Sequence, residues 1–117
     1  MKRLALAMAA AAAMMAATPA LAHTSVRETN IAENATLTRA PANFTIVFSG
    51  ATGLANVSLT DAAGRPVELN YTPLHQMASS FAIPLPTLTP GAYTLSWRTI
   101  ARDGHAMPGA VHFTISG

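Results

Sequence analysis

The sequence predicts an all-β domain, a sandwich or barrel, and three observations carry that prediction. Short runs of β-branched and aromatic residues recur along the chain with apolar side chains at every second position. Proline, glycine and Asn/Asp punctuate them at the spacing expected of a sandwich or barrel. Prolines 41, 66, 73, 84, 86, 90 and 108 also break most windows in which a helix could form.

Before the first strand stands a leader. Met1, Lys2 and Arg3 form a basic start, Leu4 to Thr18 an alanine-rich apolar run, and Pro19 precedes the small-x-small pattern of Ala20 and Ala22. The run is shorter than the roughly 20 residues of a spanning helix. Residues 1–22 therefore read as a cleaved signal peptide, residues 23–117 as one exported β domain, and the first mature residue as His23.

Along that domain Asn43 to Ser49 alternates, with Phe44, Ile46 and Phe48 on one face. Asn56 to Thr60 and Pro66 to Asn70 flank Asp61-Ala62-Ala63-Gly64, a hairpin connection. Tyr71 to Ser79 reads as an exposed loop, and Ser79 to Ile83 as a short strand. Gly91 to Thr99 is the clearest strand, with Tyr93, Leu95 and Trp97 inward and Thr94, Ser96 and Arg98 outward. After the polar turn Arg102-Asp103-Gly104-His105, Gly109 to Ser116 closes the domain with Val111, Phe113 and Ile115 on one face.

Charge and composition exclude several classes of function. Loss of the leader removes Lys2 and Arg3, so five arginines face five acids and the net charge of +2 in the whole chain falls to zero. No basic run remains for nucleic acid or an anionic membrane surface. The chain contains no cysteine, which rules out disulfides and thiolate ligands. No second apolar stretch approaches spanning length, so the expected product is a soluble exported protein, and a monomer is its expected state.

Four histidines are candidates for chemistry: His23, His75, His105 and His112. His112 lies between Val111 and Phe113, and alternation turns it to solvent. His75 and Met77 sit two apart in the expected loop; such a pair can hold soft Cu(I), although loop residues without a metal role explain it as well. Asp103 and His105 flank Gly104, a spacing that is ordinary turn chemistry alone and a donor pair in the right company. Cleavage after Ala22 supplies that company, because the free α-amine and Nδ1 of His23 can chelate one ion together. With an imidazole nitrogen of His105 and a carboxylate oxygen of Asp103 in a weaker position, the set suits one tetragonal Cu(II), with zinc and nickel as competitors.

These residues resemble the CopC-like periplasmic copper-binding proteins of bacterial copper resistance. The likeness rests on Gly91-x-Tyr93-x-Leu95-x-Trp97-Arg98, then Asp103-Gly104-His105, then Gly109-x-x-x-Phe113-x-Ile115. Ala40-Pro41 leading to Phe44–Ser49 and a mature N-terminal histidine add to it. The resemblance implies a Greek-key β-barrel or sandwich, cupredoxin-like or immunoglobulin-like. It also implies Cu(II) at His23, Asp103 and His105, and CopD-type inner-membrane proteins and other periplasmic copper carriers as partners. The sequence departs from the family where Leu59 to Tyr71 lacks the methionines of members that bind Cu(I), and where Arg27 to Asn34 replaces a common Ser-x-Pro-Ala-x-Gly segment.

The expected function is a periplasmic carrier or buffer of Cu(II) that catalyses no reaction. Two other functions compete with it. A histidine-brace copper oxidase or polysaccharide monooxygenase needs an open coordination position, which Asp103 obstructs. A metal-free immunoglobulin-like interaction module draws on the ordinary reading of each histidine taken separately. No Gly-x-Ser-x-Gly elbow supports a hydrolase.

Overall fold

A computed structural model describes residues 25–74 and 76–117. The leader, the cleavage position and both His23 and His75 lie outside the described residues. The described chain is all strand and loop: β1 Val26–Thr29, β2 Ala35–Leu37, β3 Asn43–Asp61, β4 Pro66–Val67, β5 Met77–Pro84, β6 Gly91–Ile100 and β7 Ala106–Ile115. The all-β class expected from the alternation is the observed one, a sheet curled on itself in order β1-β3-β6-β7-β2, with β4 and β5 also paired to β3.

The element that organises this arrangement is β3. The sequence pattern suggested separate strands at 43–49 and 56–60, whereas the structure has one strand of 19 residues that changes partners along its length. Its first part pairs with β1 on one side and β5 on the other; from Gly53 onward it pairs with β6, and at its end with β4. The register slips between Val47 and Thr52 against β5, and between Leu54 and Asn56 against β6. Bulges of this kind bend a strand from one layer to the next. Gly50, Ala51, Gly53 and Ala55 present little bulk at the bend, while Thr52 and Leu54 are buried there. A run that resembled a break in the sequence is therefore the corner of the fold.

The core is the one that alternation indicated. Phe44, Ile46 and Phe48 from β3, Tyr93, Leu95 and Trp97 from β6, and Val111, Phe113 and Ile115 from β7 are all buried. Phe44 stacks on Trp97 with ring centroids 5.8 Å apart, and Tyr93 stacks on Phe113 at the same separation. Tyr93 donates its hydroxyl hydrogen to the Thr89 carbonyl at 2.7 Å, so its polar tip is satisfied at the edge of the core. Trp97 lies across Gly109 on the neighbouring strand, where a Cβ would come within 2.4 Å of the indole. Glycine at 109 is thus a packing requirement.

Three boundaries differ from the sequence pattern. Only Pro66–Val67 of the expected strand to Asn70 is paired; β5 begins at Met77, inside the expected loop; and β7 begins at Ala106 and runs through Pro108. Proline is tolerated in β7 because β2 pairs only with Phe113, Thr114 and Ile115, so the N–H that Pro108 lacks falls on an edge β2 does not reach. The strands β1 and β2, too short for a readable alternation, are set by tertiary pairing.

Candidate metal centre

The antiparallel pairing of β6 and β7 ends at Ile100 opposite Ala106, and the intervening residues form a tight turn. The Ala101 N–H donates to the His105 carbonyl at 2.8 Å and the Gly104 N–H to the Ala101 carbonyl at 2.9 Å. Gly104 has a φ of 92°, in the region that glycine alone enters readily. The turn that this permits brings Asp103 and His105 together at two points. One carboxylate oxygen of Asp103, Oδ1, accepts the His105 main-chain N–H at 3.0 Å, and the other, Oδ2, lies 2.8 Å from Nδ1 of the His105 ring. Both side chains are more than half exposed, the imidazole at 65%. Such a pair is reachable by an ion from solvent and contributes little to fold stability.

The path of the chain brings Ser25, the first described residue, to the same end of the molecule. Ser25 donates its N–H to Oγ of Ser49 at 3.0 Å and its carbonyl accepts the Ser49 N–H at 2.8 Å. Ser49 opens the bend of β3, and three residues later Thr52 Oγ1 donates to the Ile100 carbonyl at 3.2 Å. Ile100 is the last residue before the Asp103–His105 turn. Ser25, two positions after His23, is therefore anchored at the end of the sandwich that carries the turn.

Of the residues singled out from sequence, the described structure joins Asp103 to His105, while His23 and His75 lie outside it. Met77 opens β5 opposite Gly53, and Met107 pairs with Thr99 in the adjacent row, so the two methionines of the domain face opposite sides of the sheet. Among the described residues no group of three or more His, Asp or Glu is placed to hold a metal ion. A set of three donors here needs one from beyond them.

His112 faces solvent, as alternation indicated, and has a partner that sequence reasoning missed. Glu33, from the loop between β1 and β2, accepts the His112 main-chain N–H at 2.9 Å and lies 2.8 Å from its Nδ1. The main-chain hydrogen bond first, then the ring hydrogen bond, hold the Glu33 carboxyl below the usual carboxylate range, against an opposing effect of desolvation. No local spacing announces this contact, because 79 residues separate the partners.

Two hollows bear on chemistry. The larger, about 520 Å³, lies on the outer face of β3, β6 and β7 over Ser58, Ser96, Arg98 and Pro108, away from the Asp103–His105 turn. A groove of about 390 Å³ adjoins the turn itself, between Leu54, Leu74, Met77, Ile100 and Arg102, with Leu74 and Met77 exposed. No helix of the described residues is long and apolar enough to cross a membrane.

The family model for the CopC domain matches residues 26–116. The fold is similar to the crystal structure of CopC from Methylosinus trichosporium OB3b, with a TM-score of 0.66 and 21% identity over 80% of this chain and 94% of that one. It is also similar to PcoC, a methionine-rich copper resistance protein from Escherichia coli, with a TM-score of 0.63 and 22% identity over 80% of this chain and 99% of that one. No curated protein matches the sequence.

Proposed function

The chain belongs to the CopC family, and from that premise we propose that it is a periplasmic copper carrier or buffer that holds one Cu(II) per chain through His23, Asp103 and His105. The observation that carries this reading is the anchoring of Ser25 to Ser49 at the end of the sandwich where Asp103 and His105 meet. Two residues of extended chain reach about 7 Å, which is the length a terminus created before His23 has beyond Ser25 for meeting that turn.

Cleavage after Ala22 gives His23 a free amine beside its own imidazole. Amine, Nδ1 and the His105 imidazole then supply three nitrogens, with a carboxylate oxygen of Asp103 completing the set. Nitrogen and oxygen donors in tetragonal array suit Cu(II), which such sites bind more tightly than the other divalent first-row ions. Cysteine is absent and the two methionines do not converge, so soft-ligand capture of Cu(I) has little support.

Carriage also requires release. Two of the three nitrogen donors belong to one terminal residue, so withdrawing His23 strips amine and imidazole from the ion in a single motion. A CopD-type membrane protein or another periplasmic copper carrier is the kind of acceptor this arrangement serves. Titration of the exported protein with Cu(II), followed by EPR, tests the proposal: a one-to-one complex with a nitrogen-rich signal supports it, and weak uptake without saturation overturns it.

A further inference from the structure

We propose that the groove beside the Asp103–His105 turn is the docking site of a copper-accepting protein, which seats an apolar side chain between Leu74 and Met77 and sets a carboxylate against Arg102. The inference rests on the copper reading above and adds the surface on which transfer takes place.

The bend of β3 builds the groove. Gly53 pairs with Met77 of β5 on one side and with Ile100 of β6 on the other, and it puts no side chain between them. The Met77 sulfur, Sδ, lies 3.6 Å from the position that a Cβ on Gly53 would take, so the methionine borders the space that glycine leaves. Leu54, which is buried, gives that space an apolar floor. Among the described residues the exposed large apolar side chains are Val26, Leu74 and Met77, and two of these three line this groove. Leu74 is the most exposed, at 63%. A single exposed apolar residue is ordinary, whereas neighbours that share one groove mark a binding surface.

Charge selects the occupant. Among the described residues Arg102 is the one charged side chain that lines the groove, and none of the ion pairs among them uses it. A carboxylate brought by a partner therefore finds an open cation at the rim, beside the exposed amide of Gln76. An apolar centre with a polar rim and an arginine is the composition of a protein interface. A lipid surface fits this groove less well. Anionic membranes hold proteins through clusters of basic residues, and the domain after the leader sets five arginines against five acids. The apolar floor is also recessed, open to a side chain and out of reach of a flat bilayer. Arg102 is next in the chain to Asp103, so a protein seated here holds its own donors beside the turn that carries the ion.

The experiment is an NMR titration of the exported protein with three short peptides: one alternating leucine with glutamate, one with lysine in place of glutamate, and one with serine in place of leucine. Phosphatidylglycerol vesicles serve as a fourth probe. The expected result is a saturable shift of the Leu74, Met77 and Arg102 signals with the leucine–glutamate peptide alone. Leu74→Ser should lose that response while its Cu(II) affinity stays that of the parent. Arg102→Glu should lose it too and respond to the leucine–lysine peptide instead, a reversal that damage to the fold would not produce. Four outcomes overturn the proposal: no saturable shift, equal shifts with all three peptides, an unchanged response in Arg102→Glu, or a Leu74-dependent response to the vesicles in place of the peptide. Failure of the parent to bind Cu(II) would remove the copper reading and with it the role of the occupant as acceptor, whereas the peptide titrations decide the docking chemistry separately.

Discussion

The carboxylate of Glu33 meets His112 at the main-chain N–H and at Nδ1, the same two points at which Asp103 meets His105. One contact spans a turn of three residues, and the other ties the loop before β2 to the middle of β7. Beside it the Asn34 N–H donates to the His112 carbonyl, so the Glu33 carboxylate continues the hydrogen bonding of β2 on β7 beyond the three paired residues.

The lowered pKa of Glu33 gives this contact a pH dependence of known sign. A carboxyl whose folded pKa is depressed contributes stability that is present above its unfolded pKa and is lost as pH falls through the folded one. Glu33→Gln should therefore lower Tm near neutrality, and the gap between variant and parent should close as pH falls below the usual carboxylate range. Thermal melts of both proteins across acid pH check this; a gap that widens on acidification would contradict it.

Replacing His105 by alanine removes a nitrogen donor, and Cu(II) affinity should fall by more than the about 10- to 100-fold expected of an outer-sphere change. Asp103→Ala should cost less than His105→Ala. Competition titrations against a chelator of known affinity measure both, and thermal melts of the metal-free variants should stay near the parent because the two side chains are largely exposed.

Copper affinity itself should fall with acidification. Protons compete for the amine and imidazole nitrogens, so binding releases them and weakens as pH drops. Proton release on binding, read by calorimetry in buffers of different ionisation enthalpy, checks this directly; binding that releases no protons would contradict a site built on amine and imidazole.

Gly109→Ala should destabilise the domain by about 1–3 kcal/mol, the usual cost of overpacking, because the added Cβ meets the Trp97 indole. A lower denaturant midpoint with unchanged slope is the expected measurement. Cu(II) affinity should be unaffected, since residue 109 lies on the strand beyond the turn.

The parts of the structure legible in sequence were those governed by local periodicity. Alternation identified the inward faces of β6 and β7 and the first half of β3, because a strand's side chains obey a period of two whatever lies around them. It failed at the corner of β3, where Gly50 to Ala55 resembles a break until the two layers that need a bend are known. Asp103 and His105 were legible because they share one turn, and their two-point contact follows from Gly104. Glu33 and His112 were illegible as a pair because only the crossover from β1 to β2 brings them together.

The central claim is that a free amine on His23 joins the Asp103–His105 turn in holding Cu(II). The most direct measurement compares the Cu(II) affinity of protein beginning at His23 with that of protein carrying one extra alanine before it, a change that keeps every side chain and moves the amine out of its chelate. The account predicts a large loss of affinity and an EPR signal with fewer coordinated nitrogens. Equal affinity and an unchanged signal would contradict it.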